Sequence, residues 1–174
     1  PAFPFGTDPL GRDVLARVVA GGKISLLVGF TSVIGAVIFG VLMGLIAGYY
    51  RGFWDMLVMR FADLQLAMPF ILLAITFIAI VGGSLTNTII LLIVSQWVQY
   101  ARLVRGSVLT LREREFILSA RAIGVKDWRI IFQHLLPNLI GPVIVLMTLN
   151  VANNILLESS LTFLGLGVDP TIPS

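Results

Sequence analysis

"ISLLVGFTSVIGAVIFGVLMGLIAGYY", residues Ile24–Tyr50, runs for 27 residues without one charged side chain. A helix rises about 1.5 Å per residue, so this stretch is long enough to cross the roughly 30 Å hydrocarbon core of a bilayer with some tilt. The whole chain of 174 residues is 57% hydrophobic and 12% charged. Soluble domains carry about 25% charged residues. We therefore predict an integral membrane protein.

Three further apolar stretches follow, at residues 64–82, 85–104 and 135–157. Transmembrane strands would alternate apolar and polar residues in segments of about ten residues. These runs are longer and unbroken, which predicts helices. The expected fold is an all-α helical bundle with four spans. Pro69 falls inside the second stretch, where it either kinks the helix or marks its start.

Small residues recur at every fourth position of the first span. This stripe consists of Ser32, Ala36, Gly40, Gly44 and Gly48. Small residues on one face let a neighbouring helix backbone approach closely. We interpret the stripe as a packing face, in preference to a substrate site.

Residues 1–23 are polar and rich in turn formers. Within them, "RDVLARVV" (Arg12–Val19) predicts a short amphipathic helix lying at the membrane interface. Near the start of the second span, Arg60 and Asp63 lie about one helical turn apart, and we expect them to pair locally.

The cations indicate the orientation of the chain. Seven lie together between the third and fourth spans: Arg102, Arg105, Arg112, Arg114, Arg121, Lys126 and Arg129. An excess of Lys and Arg marks cytoplasmic loops. Because spans alternate, the loop with Arg51 and Arg60 is then cytoplasmic too, and both ends of the chain lie outside. Only Arg12, Arg17 and Lys23 of the twelve cations are left on the outer side.

The cationic loop contains "EFILSARAIGVKDWRIIFQHLLPN" (Glu115–Asn138). Its pattern predicts a helix at Phe116–Ile123, a stop at Gly124 and a second short helix at Lys126–Leu135. Pro137 suits the first turn of the following span. The second helix would present an apolar face of Trp128, Ile131, Phe132 and Leu135.

Two readings of this elbow stay open. It is either a connector or a docking surface for a cytoplasmic partner. Most connections in helix bundles have about 2–8 residues, and this one is longer and amphipathic. The pattern alone does not choose between the two.

Part of the elbow, "LSARAIGVKDWRIIFQHLLPN", resembles the cytoplasmic loop of binding-protein-dependent ABC importer permeases. The family pattern is Glu-Ala-Ala, three residues, Gly, and a spacer that ends in Leu-Pro. Ala120, Gly124 and the pair Leu136 and Pro137 match it. Leu118 stands where the family usually has Glu, and Ser119 replaces the first Ala.

Two more segments resemble the dipeptide, oligopeptide and nickel branch of that family. "FGTDPLGRDVLARVVAGGKISLLVG" (Phe5–Gly29) is similar to its outer segment before a span, and "LLESSLTFLGLGVDPTIPS" (Leu156–Ser174) to the outer segment before the last span. The resemblance implies an outer segment at residues 1–23 and an ABC transporter type-1 transmembrane domain at residues 24–174. The coupling elbow would be residues 112–135. The domain has six spans in this family, so the chain would lack the first and the last.

The resemblance also implies function and partners. The chain would be a permease subunit of an ATP-driven importer for peptides, nickel or similar small solutes in a prokaryotic inner membrane. Its partners would be a second, similar permease, two ATP-binding subunits, an extracytoplasmic substrate-binding protein and the lipid bilayer, with no nucleic acid. The expected ATPase-contact residues are Ala120, Arg121, Gly124, Val125, Trp128, Leu136 and Pro137.

This chain has no phosphate-binding Gly-Lys-Ser/Thr loop. We therefore expect ATP and Mg to bind the partner ATPase, with no cofactor and no enzymatic activity in this chain. With one histidine, His134, and no cysteine, we also predict no catalytic or metal site. An intramembrane enzyme would need a paired nucleophile and base or a metal cluster.

The polar residues within the spans are candidates for the translocation pathway. They are Ser95 and Gln99 on the third span and Asn150, Asn154 and Glu158 at every fourth position of the last. Intramembrane polar groups face either a wet cavity or a neighbouring helix, and both readings stay open. The alternative function is an ion-coupled secondary transporter, in which we would expect acidic residues in the middle of a span.

Overall fold

The computed structural model describes residues 4–7 and 11–164, and within these ranges the chain is helical apart from its turns. Most of the C-terminal segment that resembles the permease branch, from residue 165 on, lies outside the described residues, as do residues 8–10 of the N-terminal one. The helices are α1 (Val14–Tyr50), α2 (Gly52–Leu66), α3 (Phe70–Val81), α4 (Leu85–Leu111), α5 (Glu115–Ala122), α6 (Asp127–Arg129), a π-helical turn (Ile130–Leu135) and α7 (Leu136–Phe163). The predicted all-α fold is confirmed.

α1 begins earlier than the apolar stretch suggested. Asp13 caps it, since its carboxylate accepts a 2.9 Å hydrogen bond from the backbone N–H of Leu15. The helix then continues through Gly21 and Gly22 into the apolar stretch. The separate interfacial helix predicted at Arg12–Val19 is therefore wrong, because one glycine pair does not stop a helix that is already capped and propagating.

α1 and α4 pack along the stripe of small residues. A Cβ atom on Gly40 would lie 2.5 Å from the carbonyl oxygen of Trp97, and one on Gly44 would lie 2.6 Å from that of Ala101. A Cβ atom on Gly48 would lie 2.8 Å from the Cβ atom of Val108, and Ser32 and Ala36 are fully buried. The two backbones come this close because no side chain separates them.

α2 and α3 meet at a sharp break, with 92° between their axes. α2 ends at Leu66 and α3 starts at Phe70, directly after Pro69. Proline lacks the N–H that would continue α2, so Pro69 lies at the start of α3 and does not kink a continuous helix. The expected local pair of Arg60 and Asp63 is wrong, since Asp63 pairs with Arg102 of α4 at 2.5 Å.

By length and composition, two helical bodies within the described residues could cross a membrane: Val14–Tyr50 and Asp127–Phe163. The bent pair of α2 and α3 makes a third candidate if it is counted as one span. α4 is not among them, because polar side chains interrupt its apolar residues. It lies against both α1 and α7 and buries residues such as Leu91, Val98 and Ala101. The expected count of four spans therefore holds only if α2 and α3 together form one broken span. It also requires that α4, which α1 and α7 shield, forms another.

Candidate functional site

The turn of the elbow is a complete Schellman motif. The N–H of Gly124 donates to the carbonyl of Arg121 and the N–H of Val125 to that of Ala120, each at 3.0 Å. Gly124 has φ of 76°, the left-handed conformation that this motif requires and that glycine adopts without strain. Ala120 and Val125 also belong to the same apolar cluster, the contact that usually accompanies the motif. The expected helix stop at Gly124 is confirmed.

The second elbow helix differs from the expectation in its buried face. α6 runs into a π-helical turn in which the N–H of Leu136 donates to the carbonyl of Ile131, five residues back. A π-turn does not follow the 3.6-residue period from which the apolar face was predicted. Ile130, Ile131 and Leu135 are therefore the buried residues of this segment. Trp128 and Phe132, predicted on the same face as Ile131 and Leu135, are half-exposed.

The tip of the elbow is an exposed surface of mixed character, which we call the elbow surface. It surrounds a cleft of about 380 Å³ lined by Ile123, Gly124, Val125, Lys126, Trp128 and Arg129. Ile123 is 80% exposed, and the guanidinium of Arg129 lies 5.5 Å from the centre of the Trp128 ring. Such an arrangement offers apolar area together with positive charge to a partner.

The predicted coupling residues do not all lie on this surface. Gly124, Val125 and Trp128 line the cleft, whereas Ala120 is buried beneath it. Leu136 and Pro137 form the first turn of α7 and are not part of the cleft lining.

The elbow is fastened to the end of α1 through Tyr49. Its hydroxyl donates a 2.6 Å hydrogen bond to Asp127, the first residue of α6. The guanidinium of Arg121 lies 4.9 Å from the centre of the same ring, and Arg112 donates a 2.8 Å hydrogen bond to the Tyr49 carbonyl. No spacing in the sequence marks the contact of Tyr49 with residues more than 60 positions away.

The polar residues of α7 point into the bundle. Asn154 is fully buried, where it donates a 2.7 Å hydrogen bond to Ser32 of α1 and accepts one from Gln96 of α4. Gln96 was not among the predicted pathway residues, because the sequence does not show which residues of α4 face α7. Interhelical hydrogen bonding, one of the two readings that the sequence left open, describes Asn154 in this structure.

Asn150 and Glu158 continue this pattern one turn to either side. The side chain of Asn150 donates to the hydroxyl of Tyr100 at 3.0 Å and to the side-chain oxygen Oε1 of Gln99 at 3.2 Å. Glu158 accepts hydrogen bonds from Ser25 of α1 at 3.0 Å and from Thr162 at 3.1 Å. Glu158 is fully buried.

Ser95 and Gln99 differ from these three residues because they border open space. Both line a cleft of about 290 Å³ beside the break between α2 and α3. Ser95 is partly buried and Gln99 is exposed. Of the five predicted pathway residues, these two are therefore the ones a solute could touch in the described part of the chain.

Known proteins resemble this chain in sequence and in fold. The family model described as "Binding-protein-dependent transport system inner membrane component" matches residues 40–174. A dipeptide transport system permease protein of Alkalihalophilus pseudofirmus is 50% identical over 169 residues, which cover 97% of this chain and 56% of that protein. A glutathione transport system permease protein of Pectobacterium atrosepticum is 40% identical with the same coverage.

The chain thus spans about half the length of the curated relatives it matches. Among solved structures, the MetNI methionine ABC transporter in an inward-facing conformation matches with a TM-score of 0.73 and 21% identity, over 88% of this chain and 77% of that one. This likeness concerns the fold.

Proposed function

The chain belongs to the family of binding-protein-dependent transport system inner membrane components, and from this membership we propose that it forms part of the translocation pathway of an ATP-driven importer. The relatives reported above are named for a dipeptide and for glutathione, which is a tripeptide. We therefore propose small peptides as the solutes, in preference to nickel. ATP hydrolysis would take place in a separate partner, to which ATP and Mg bind.

The observation that carries this proposal is the elbow surface. It combines strongly exposed apolar side chains with Lys126 and Arg129 on a turn whose backbone is fixed by the Schellman motif. Exposed apolar area on a rigid turn is typical of a protein-interaction site. In the proposed assembly two ATP-binding subunits dock on this elbow and on the elbow of a second, homologous permease. A substrate-binding protein delivers the solute from the opposite side.

The proposed orientation follows from the charges. Family and apolar helices indicate a multi-pass protein of the inner membrane. We place residues 51–60 and residues 102–135, which contain the elbow at residues 112–135, in the cytoplasm, because nine of the twelve cations lie in these two segments. Residues 1–23 would then lie outside. The C-terminal end of the transmembrane domain, which comprises residues 24–174, would lie on the same side.

Movement of the elbow would reach the spans by two routes. The first is the continuous helical body Asp127–Phe163, which joins α6 directly to α7. The second is the contact of Tyr49 with Asp127 and Arg121, which joins the elbow to α1. Closure of two ATPase subunits below the elbow would shift both helices as rigid bodies.

The test uses the full-length permease co-expressed with its partner proteins. Ile123→Glu places a carboxylate on the elbow surface without touching the core, because Ile123 is mostly exposed. We expect loss of ATPase co-purification and of ATP-dependent dipeptide uptake. Ile80→Glu is the matched control, since Ile80 is equally exposed but lies at the end of α3.

The control should keep the ATPase. Normal ATPase binding by the Ile123 variant would contradict the assignment of the elbow. Uptake that continues without the ATPase and follows an ion gradient would favour the secondary transporter instead.

A further inference from the structure

The cleft beside the helix break is lined by nine residues, of which four are polar: Gln65, Ser95, Gln96 and Gln99. We call it the break cleft and define it by Gln65, Met68, Phe70, Ser95, Gln96 and Gln99, which surround about 290 Å³. It lies where α2 and α3 turn through 92° and face α4. Irregular backbone at membrane depth is tolerated where it is buried in protein or lines a watery cavity. Broken helices also border the substrate sites of many transporters.

Gln96 lines this cleft and carries one polar atom without a hydrogen-bond partner. Its side chain donates to Asn154 through the amide nitrogen, while its carbonyl oxygen Oε1 is buried and has no hydrogen-bond partner. The residue is only 5% exposed. Exchanging the oxygen and nitrogen of the amide would leave the other atom unpaired instead. Buried polar atoms in native proteins are nearly always paired, so a hydrogen-bond donor that reached Oε1 from the cleft would satisfy this acceptor.

Two neighbouring side chains add complementary groups. The side-chain oxygen Oε1 of Gln99 accepts a hydrogen bond from Asn150, so the side-chain N–H groups of Gln99 are left for another acceptor. Ser95 donates its hydroxyl hydrogen to the carbonyl of Leu92, which leaves the oxygen as an acceptor. No residue that lines the cleft is charged. Neutral donors and acceptors suit a peptide group, which offers one N–H and one carbonyl, better than they suit an ion.

We propose that the break cleft contacts the backbone amide of a small peptide in transit, with Gln96 accepting from its N–H and Gln99 donating to its carbonyl oxygen. This inference rests on the proposed function, because it needs a peptide that moves through the permease. It adds the contact site and the chemistry that the site recognises. Phe70 and Met68 supply apolar area beside the polar groups for the peptide's side chains.

A thiol-protection experiment tests the contact. The sequence has no cysteine, so Ser95→Cys in a cysteine-free version of the full-length permease, assembled with its partners, gives one thiol in the cleft. We expect a membrane-impermeant methanethiosulfonate reagent to label it, and alanyl-alanine to slow the labelling several-fold under turnover. Thr110→Cys, exposed near the end of α4, should be labelled without protection. Absence of labelling, or labelling that the dipeptide does not slow, would overturn the proposal.

A selectivity measurement identifies the group that is recognised. Alanyl-lactate replaces the amide N–H of alanyl-alanine by an ester oxygen and cannot donate to Gln96. We expect the wild-type complex to prefer the amide and Gln96→Met to lose most of that preference. Ser32→Ala is the matched control, because it disturbs the same network on the far side of Asn154 and should keep the preference. An unchanged preference in the Gln96 variant would contradict the contact.

The two proposals can fail separately. If the wild-type complex binds its ATPase and imports alanyl-alanine with ATP, but Ser95→Cys is not protected, the break-cleft proposal is wrong and the proposed function stands. If the wild-type complex imports no dipeptide, the proposed solute class is wrong and the break cleft loses its occupant with it.

Discussion

The hydroxyl of Tyr49 donates a 2.6 Å hydrogen bond to the carboxylate of Asp127, 78 residues further along the chain. Tyr49 is the penultimate residue of α1 and Asp127 the first residue of α6. A hydrogen bond to a charged acceptor is stronger than one between neutral groups, and this one is partly shielded from water. This hydrogen bond thus joins the end of α1 to the start of the second elbow helix.

Tyr49→Phe should loosen this connection. The ring remains for packing and for the contact with Arg121, so the loss is limited to the hydrogen bond, about 1.5–3 kcal/mol for a bond to a charged group. We expect a lower midpoint in thermal unfolding of the detergent-purified protein. Tyr50→Phe, in the neighbouring half-exposed tyrosine, is the control and should leave the midpoint unchanged. Equal midpoints for both variants would show that the hydrogen bond contributes nothing.

Substitutions at Gly124 should follow the cost of the left-handed conformation. A Cβ atom there would meet no atom within 4 Å, so the cost is conformational, about 1–2 kcal/mol for an ordinary residue. Gly124→Asn should be tolerated best and Gly124→Val least, since Asn adopts this conformation more readily than a β-branched residue. We expect the Val variant to insert into the membrane normally and to lose the ATPase partner.

Gly106→Ala provides the control for Gly124, because Gly106 also has open space around its Cβ position but lies within α4 without a positive φ. It should keep the ATPase. A Gly124→Val variant that co-purifies and transports like the wild type would contradict the role of the turn.

Gly44→Ala should push α1 and α4 apart. Its Cβ atom would lie 2.6 Å from the backbone oxygen of Ala101 and 2.8 Å from the Cβ of Val104, so neither neighbour can move aside as a flexible side chain would. Overpacking of this kind costs about 1–3 kcal/mol. Gly22→Ala on the same helix meets nothing within 4 Å and should be neutral or slightly stabilising. Thermal unfolding of the two variants measures the difference, and equal stability would refute the close packing.

The two ion pairs between α2 and α4 should differ in strength. Arg105 and Asp55 are joined by two hydrogen bonds, with side chains 32% and 19% exposed. Arg102 and Asp63 make one, with 48% and 53% exposed. Because solvent screens exposed pairs to about 0–1 kcal/mol, we expect the larger coupling energy for Asp55 and Arg105. Double-mutant cycles with Asn and Gln replacements measure both, and the reverse order would be inconsistent with this structure.

Several local features were predictable because they depend on few neighbouring residues. The predicted bounds of α5 differ from the observed ones by one residue, and the predicted helix stop at Gly124 is observed. Both were predictable because a glycine in a helix-ending pattern readily adopts the left-handed conformation. The register of the second elbow helix was not predictable. It contains a π-turn, whose hydrogen bonds span five residues, and no residue type in the segment predicts such a turn. As a result, Trp128 and Phe132 are half-exposed and do not face the core.

Long-range partners were the part that sequence reasoning missed. Asp63 was assigned to Arg60, its neighbour in sequence, but it pairs with Arg102 on another helix. Gln96 was passed over, although it is the α4 residue that bonds to Asn154 and lines the break cleft. Both depend on which face of α4 meets which helix.

The sequence by itself determined a membrane-spanning all-α chain, a small-residue face on α1 and a turn at Gly124, because hydropathy, spacing and backbone preference act over one or two helical turns. The tertiary structure alone decided that α2 and α3 meet at 92°, that Tyr49 reaches Asp127, and that Gln96 keeps an unpaired oxygen at a cleft. These features need helices that are distant in sequence to pack at one rotation and height, and that choice is made by the sum of contacts across the bundle.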